Sequence, residues 1–280
     1  MKSFELTLTR RVSYIVATKD RAEYLERTMQ NIRELKKKDD EVIIIDGLSK
    51  DNTSEVVRRH ADLVDIFISE KDISEIHAWN KGILLSQGKY IKILSDDDVI
   101  YPEAMDQAVR VMDTHPDIDV LLCGGTKQQG DQTWTVYLPP GVNYGKQVED
   151  VFIYGACGVG LMIRRRVLAQ VQLLNPYAVA NDMDFLCRCI SQGINVKFCR
   201  INMYHHPIGA HSTTTRRKHE WRRDIARIKK EYSIKKGFRA KLPVWMEGTP
   251  TAIKTLIQPF IRKKRRHIPA RDPIWDGGFS

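Results

Sequence analysis

The chain alternates short β-branched apolar runs with longer stretches whose apolar residues recur every three or four positions. Ser13–Ala17 is an apolar run, followed by polar Thr18–Arg21. In Ala22–Leu35, Leu25, Thr28, Met29, Ile32 and Leu35 share one helical face. Glu41–Asp46 is a run of the kind buried on both sides in a parallel sheet. It ends in an Asp46-Gly47 turn signal, and polar Ser49–Thr53 can cap a helix over Ser54–His60. Val64–Ser69 predicts a third strand, Ile76–Ser86 a helix stopped near Gly88, and Tyr90–Leu94 a fourth strand. That strand runs into Ser95-Asp96-Asp97-Asp98, and Pro102 then opens a helix over Glu103–Thr114.

The second half predicts strands at Val120–Gly124, Thr133–Leu138, Gly158–Ile163 and Val196–Arg200. Helices are expected at Arg165–Leu174, Asp182–Gln192 and Arg216–Tyr232. The alternation implies an α/β fold with a mixed, mostly parallel central sheet and helices on both faces. Such sheets bind ligands at the carboxyl ends of their strands. Here those ends carry Thr18, Asp46, Glu70 with Asp72, and the Asp triplet, so four polar clusters are expected to meet in one crevice.

Charge changes the picture at one end only. Residues 216–280 hold 19 Lys+Arg against 6 Asp+Glu, whereas residues 1–215 hold 26 against 29. A body near neutrality with a basic tail fits an enzyme with an extension and argues against a nucleic-acid binder. The five cysteines show no paired Cys-x-x-Cys pattern and read as free thiols. No run of about 18 apolar residues predicts a membrane-spanning helix. The start, MKSFELTLTRR, lacks a secretory apolar run, so a cytoplasmic protein is expected.

Three adjacent carboxylates repel one another and call for a compensating cation, so Asp96, Asp97 and Asp98 are candidate ligands for Mn²⁺ or Mg²⁺. The competing reading is an acidic cap on the next helix. Asp46 can accept hydrogen bonds from a base or ribose, or merely close a turn. Asn181-Asp182-Met183-Asp184 offers a general base or a helix cap.

The run TKDR (18–21), then EVIIIDGLSKDNT (41–53), then SEKDISEIHAWNKGILLSQGKYIKILSDDD (69–98), resembles the family 2 glycosyltransferases of GT-A fold. The likeness continues into GVGLMIRRRVL (158–168) and NDMDFLCR (181–188). The resemblance implies an inverting transferase that moves a sugar from a nucleotide diphosphate donor, a UDP-sugar foremost, to a glycan or lipid-linked acceptor hydroxyl. It places Thr18, Asp46, Asp72, Lys81 and Asp96 at the nucleotide sugar, the Asp triplet at the metal, and Asp182 as the base. Residues 1–115 would form the donor half, 116–235 the acceptor half and 236–280 a basic tail. Against the family pattern, Lys19 stands for Asn, Ser95 for the first Asp of Asp-x-Asp, Asn181 for Glu, and His77 for an Asp found in a subgroup.

In YHHPIGAHSTTTRR (204–217), His205, His211, Arg216 and Arg217 are candidates to neutralise a leaving diphosphate, against the alternative of a solvated basic loop. In the tail, KTLIQPFIRKKRR sets apolar residues beside five consecutive basic ones, a composition suited to an anionic membrane surface. A nucleotidyltransferase would also pair a nucleotide crevice with carboxylate-held Mg²⁺, but TKDRAEYL lacks the glycine-rich loop such enzymes carry after the first strand. A non-catalytic nucleotide- or glycan-binding relative has no need of both the Asp triplet and Asp182.

Overall fold

The computed structural model describes residues 10–138, 142–207 and 216–234. The chain runs β1 (Arg10–Thr18), α1 (Ala22–Leu35), β2 (Glu41–Asp46), α2 (Thr53–Arg59), β3 (Ile66–Ser69), α3 (Glu75–Leu85), β4 (Gly88–Ser95), β5 (Val99–Ile100) and α4 (Pro102–Thr114). It continues through β6 (Val120–Gln129), β7 (Gln132–Val136), α5 (Glu149–Tyr154), a 3₁₀ turn (Gly158–Gly160), β8 (Leu161–Arg164), α6 (Arg166–Val171), α7 (Asn181–Ser191), β9 (Val196–Pro207) and α8 (Lys218–Glu231).

One sheet joins all the strands in the order β3-β2-β1-β4-β8-β6-β9-β5, with β7 hairpinned onto β6. The first four strands are parallel. β8 is antiparallel to both β4 and β6, and β9 is parallel to β6. The carboxyl ends of β1, β2, β4, β6 and β9 and the start of β8 therefore share one edge of the sheet.

The apolar runs are buried on both faces. Val12, Tyr14 and Val16 face one core with Leu25, Met29 and Ile32 of α1 and Met105, Ala108 and Met112 of α4. Ile15 and Ala17 face the other with Trp79 and Ile83 of α3 and Phe185 and Leu186 of α7. Two-sided burial explains why these strands read as continuous apolar runs without alternation. α3 packs so closely on β1 that a Cβ at Gly82 would lie 2.3 Å from Ile15 Cγ2.

Most expected elements form, with instructive differences. The helix expected over Arg165–Leu174 stops at Val171, and Gln172 takes a left-handed φ of 67°. Leu174 is instead held by the Asn80 side chain, which donates to its carbonyl at 2.8 Å and accepts from its amide at 3.1 Å. The strand expected at Gly158–Ile163 begins as a 3₁₀ turn and extends only from Leu161. β6 and β9 run past their expected ends because a bulge after Cys123 and Cys199 lets them pair again from Gly124 and Asn202. β5 and α5 were hidden by brevity: two and six residues carry too little periodicity to read.

Candidate functional site

The shared sheet edge is assembled by contacts between loops. α1 holds the Asp loop at both ends: Thr28 Oγ1 donates to the Asp96 carbonyl at 2.7 Å, and the Asn31 amide bonds both backbone groups of Ile100 at 2.9 Å. α3 adds Trp79 Nε1, which donates to the Leu94 carbonyl at 2.9 Å. The loops after β1 and β2 are stitched together. Asp20 N donates to Ser49 Oγ, and Lys50 N to Asp20 Oδ1, both at 2.7 Å. Asp51 caps two helices at once, accepting from Ala22 N at 2.8 Å, from Thr53 N at 3.1 Å and from Thr53 Oγ1 at 2.6 Å.

Each candidate from the sequence has a definite setting here. Thr18 Oγ1 donates to Asp96 Oδ2 at 2.8 Å. Asp46 is fully buried and accepts from Ser69 Oγ at 2.6 Å and from the amide and hydroxyl of Ser49, which closes the β2 turn. Asp72 lies 2.8 Å from the Lys81 ammonium and 3.0 Å from His77 Nδ1; Glu70 is 2.7 Å from Lys81 on its other side. Lys81 is thus flanked by two carboxylates.

The Asp triplet does not converge on a point. Arg21 reaches Asp96 at 3.0 Å and Asp97 at 2.7 Å, and its guanidinium stacks 4.2 Å from the Tyr24 ring centroid. Arg21 thus pairs with two of the three carboxylates for which the sequence argument called for a compensating cation. Among the described residues no three His, Cys, Asp or Glu side chains gather as ligands. Asp98 turns away from its neighbours: Oδ2 accepts from Ser95 N at 2.8 Å and Oδ1 sits 3.6 Å from His206 Nδ1. That imidazole nitrogen is buried and has no hydrogen-bond partner.

Burial governs the acidity of the site. Desolvation raises Asp96 to about 7 against the opposing pull of Arg21 and the Thr18 hydroxyl. Desolvation likewise raises Glu75 to about 7; its carboxylate accepts from Ser95 Oγ at 2.6 Å. Asp182 stands at the first turn of α7 and accepts from Met183 N at 2.8 Å. Desolvation pushes its carboxyl above the usual carboxylate range, while that amide and the Lys127 charge pull it down. A Cβ on Gly158, at the shared edge beside β8, would lie 4.0 Å from Asp182 Cβ.

Arg21, Glu75, Lys127 and His206 were not singled out from the sequence. Arg21 closes the TKDR run, and Glu75 falls just before the helix expected over Ile76–Ser86. His206 stands beside His205, and both pair with β6, at Lys127 and Thr126; the buried Nδ1 of His206 facing Asp98 separates the two. His205 pairs with Val99 of β5. Arg217 is engaged with Glu220, 2.9 Å from its Nε. His211 lies outside the described residues.

Residues 13–172, more than half of the chain, match the profile of the family described as glycosyl transferase family 2. The chain belongs to that family. It is 24% identical over 197 residues to an uncharacterized glycosyltransferase of Methanocaldococcus jannaschii, covering 64% of each chain. It is also 24% identical over 144 residues to one from Rickettsia prowazekii, covering 51% of this chain and 45% of that one. It therefore spans less than two thirds of the length of these relatives.

Solved structures share the GT-A architecture. S. aureus TarS residues 1–349, in complex with UDP-GlcNAc, superpose with a TM-score of 0.63 at 15% identity, over 79% of this chain and 66% of that one. The mannosyltransferase PcManGT of Pyrobaculum calidifontis, in complex with GDP-Man and Mn²⁺, gives 0.61 at 17% identity, over 91% and 70%. Glucosyl-3-phosphoglycerate synthase of Mycobacterium tuberculosis, in complex with Mn²⁺, UDP and glucosyl-3-phosphoglycerate, gives 0.56 at 12% identity, over 82% and 83%. A GT-A sheet with this family's motifs is what the sequence led us to expect.

Proposed function

We propose that this family 2 member transfers a sugar from a nucleotide diphosphate donor to an acceptor hydroxyl with inversion, Asp182 serving as the base. The observation that carries the reading is the placement of Asp182. A carboxyl raised by burial stands beside Gly158 on the same sheet edge as Thr18, Asp46 and the Asp loop. A donor nucleoside fits the β1–β2 side, where Thr18 and Asp96 are bonded to each other at the strand ends and buried Asp46 holds the β2 turn through Ser49 and Ser69. Asp72 and Lys81 then border the nucleotide on the α3 side. An acceptor hydroxyl beside Asp182 would lose its proton to that carboxylate as its oxygen attacks the anomeric carbon, and the nucleoside diphosphate would leave from the opposite face. One base and one displacement invert the anomeric configuration.

Asp98 and His206 fit a divalent cation. The buried Nδ1 without a partner, 3.6 Å from a carboxylate oxygen, is a ready pair of donors, with diphosphate oxygens and water to complete the shell. A mixed oxygen–nitrogen set favours Mn²⁺ over Mg²⁺, which prefers oxygen throughout. Such an ion, when bound, stabilises charge developing on the leaving diphosphate. Asp96 and Asp97, already paired with Arg21, hold the loop and the ribose side in this reading. The UDP-, GDP-sugar and Mn²⁺ complexes of the structural relatives support this donor class, with a UDP-sugar favoured. A glycan or lipid-linked acceptor, in polysaccharide or glycoconjugate assembly, completes the proposal. Residues 1–115 would serve the donor, 116–235 the acceptor.

A thermal-shift series with UDP-, GDP- and dTDP-sugars and Mn²⁺ tests it, since a ligand of the native state raises stability by mass action. One donor class is expected to raise Tm, and the raise is expected to vanish with EDTA and to weaken in His206→Ala. A protein that neither shifts with nor hydrolyses any nucleotide sugar is not this enzyme.

A further inference from the structure

α8 lies outside the segment that matches the family profile, yet it grips the helix that carries Asp182. Ile228 is fully buried in the core on the α3–α7 side of the sheet, and Trp221 and Ile225 pack against that core. This seats two charged side chains of α8 at the head of α7. Asp224 Oδ2 accepts from Val179 N at 2.5 Å and from Ala180 N at 3.3 Å. Both amides precede the first residue of α7, whose own N-cap, Ala180, has no hydrogen-bonding side chain. A helix start leaves amide donors in need of acceptors, and here a carboxylate from another helix provides one.

The second grip falls just after Asp182. Arg227 Nη2 donates to Asp184 Oδ1 at 2.7 Å, and Arg188 Nε stands 3.3 Å from Asp184 Oδ2. Arg188 Nη1 in turn donates to the Val171 carbonyl at the end of α6, at 2.6 Å. Asp184 is buried, so its charge depends on these two guanidinium groups. Arg227 also lies 3.9 Å from Asp224, tying the two grips together. Asp182 sits between the two anchors. Its carboxylate takes a hydrogen bond from the Met183 amide of its own helix, so its location follows the first turn of α7.

We propose that α8 is a clamp that sets the reach of the base, with Asp224 and Arg227 as positioning residues on either side of Asp182. The inference rests on the reading of Asp182 as the base. A positioning residue remote from the reacting atoms matters because a displacement of about 1 Å at the reacting centre can lower a rate by about 100-fold. The clamp also explains why a charged helix follows the catalytic body: its buried side carries the core contacts and its Asp224–Arg227 pair carries the aim.

The test compares Asp224→Ala, Asp224→Asn and Arg227→Gln with the unaltered chain, reading kcat, donor Kd by calorimetry, and Tm. Asp224→Ala and Arg227→Gln are expected to lower kcat by about 10- to 100-fold with donor Kd within about twofold. Asp224→Asn, which keeps an acceptor oxygen toward the two amides, is expected to recover most of the loss. Lys230→Ala, on the exposed side of the same helix, is expected to change nothing. Unchanged kcat in both Asp224→Ala and Arg227→Gln overturns the clamp. So does a parallel fall of kcat, donor affinity and Tm that Asp224→Asn fails to repair, which is the signature of a merely structural contact. Asp182→Asn is measured alongside. If it keeps full kcat, the base reading falls; if it is inactive while both clamp variants are normal, only the clamp falls.

Discussion

Asp182 must meet two demands at once: it must be ionised to accept a proton, and basic enough to hold it. Burial satisfies the second by raising its pKa, because the charged form loses solvation. The sign of the consequence follows. The folded protein binds this proton more tightly than an ordinary carboxylate does, so kcat falls as pH drops through a value above the usual carboxylate range. Asp182→Asn is expected to lower kcat by about 10²–10⁴-fold with donor affinity kept, and to abolish that acid limb in whatever activity remains. A pH profile of kcat for both proteins checks it; loss of donor affinity with kcat retained would make Asp182 a donor contact. Lys92 poses the reverse problem. It interrupts the apolar face of β4 between Tyr90 and Leu94, fully buried, with its ammonium bonded to the Val159 carbonyl, to Leu161 O at 3.2 Å and to Met203 Sδ at 3.4 Å. Desolvation lowers its pKa to about 8. The unfolded chain then binds more protons than the folded one between about pH 8 and the ordinary lysine value, so this residue's penalty shrinks as pH rises through that window. Against Lys92→Met, the unaltered protein should therefore gain relative Tm from pH 8 to pH 10. A constant difference across that range would show that Lys92 keeps the ordinary lysine value in the fold.

Elements were legible where periodicity was long and local. α1 and β2 form with the boundaries their apolar pattern predicts, because fourteen and six residues of consistent pattern outweigh end effects. The polar strand ends were legible for the same reason: a parallel sheet sends them to one edge. What stayed illegible depended on partners far along the chain. Nothing near Arg165–Leu174 announces that Asn80 will take Leu174 out of a helix, and nothing near the Asp triplet announces that Arg21 will pair with Asp96 and Asp97. His206 needed the register of β6 on β9, which a bulge displaces. That bulge brings the Tyr204 ring against the backbone of Gly125, where a Cβ would come within 2.3 Å of the ring. Gly125→Val is therefore expected to destabilise by about 1–3 kcal/mol through overpacking. Chemical denaturation checks it, and an unchanged midpoint would mean the ring has room to move.

For the molecule as a whole, charge is unevenly distributed along the chain. The site is built within a nearly neutral body, while residues 216–280 carry the basic excess. Part of that excess is on α8, where Lys218, Arg222, Arg223 and Lys230 are exposed on the side away from the core. Most of the remainder falls in 236–280, outside the described residues, where Arg262–Arg266 follows the apolar Leu256, Ile257, Phe260 and Ile261. Among the described residues no helix is long and apolar enough to cross a membrane. The proposal that the tail holds the enzyme at an anionic surface rests on this composition. Each basic residue near such a surface contributes about 1 kcal/mol, and the contribution decays within a Debye length. Five together are enough for reversible attachment beside a lipid-linked acceptor, and the adjoining apolar residues add a part that salt does not screen. The full chain is expected to sediment with phosphatidylserine-containing liposomes at low salt and to be largely released at high salt. A chain ending at Gly248 is expected to remain in solution under both conditions, with donor binding intact. Equal sedimentation of the two chains would move the attachment to α8 and the body. No sedimentation of either would leave the basic tail without a membrane role.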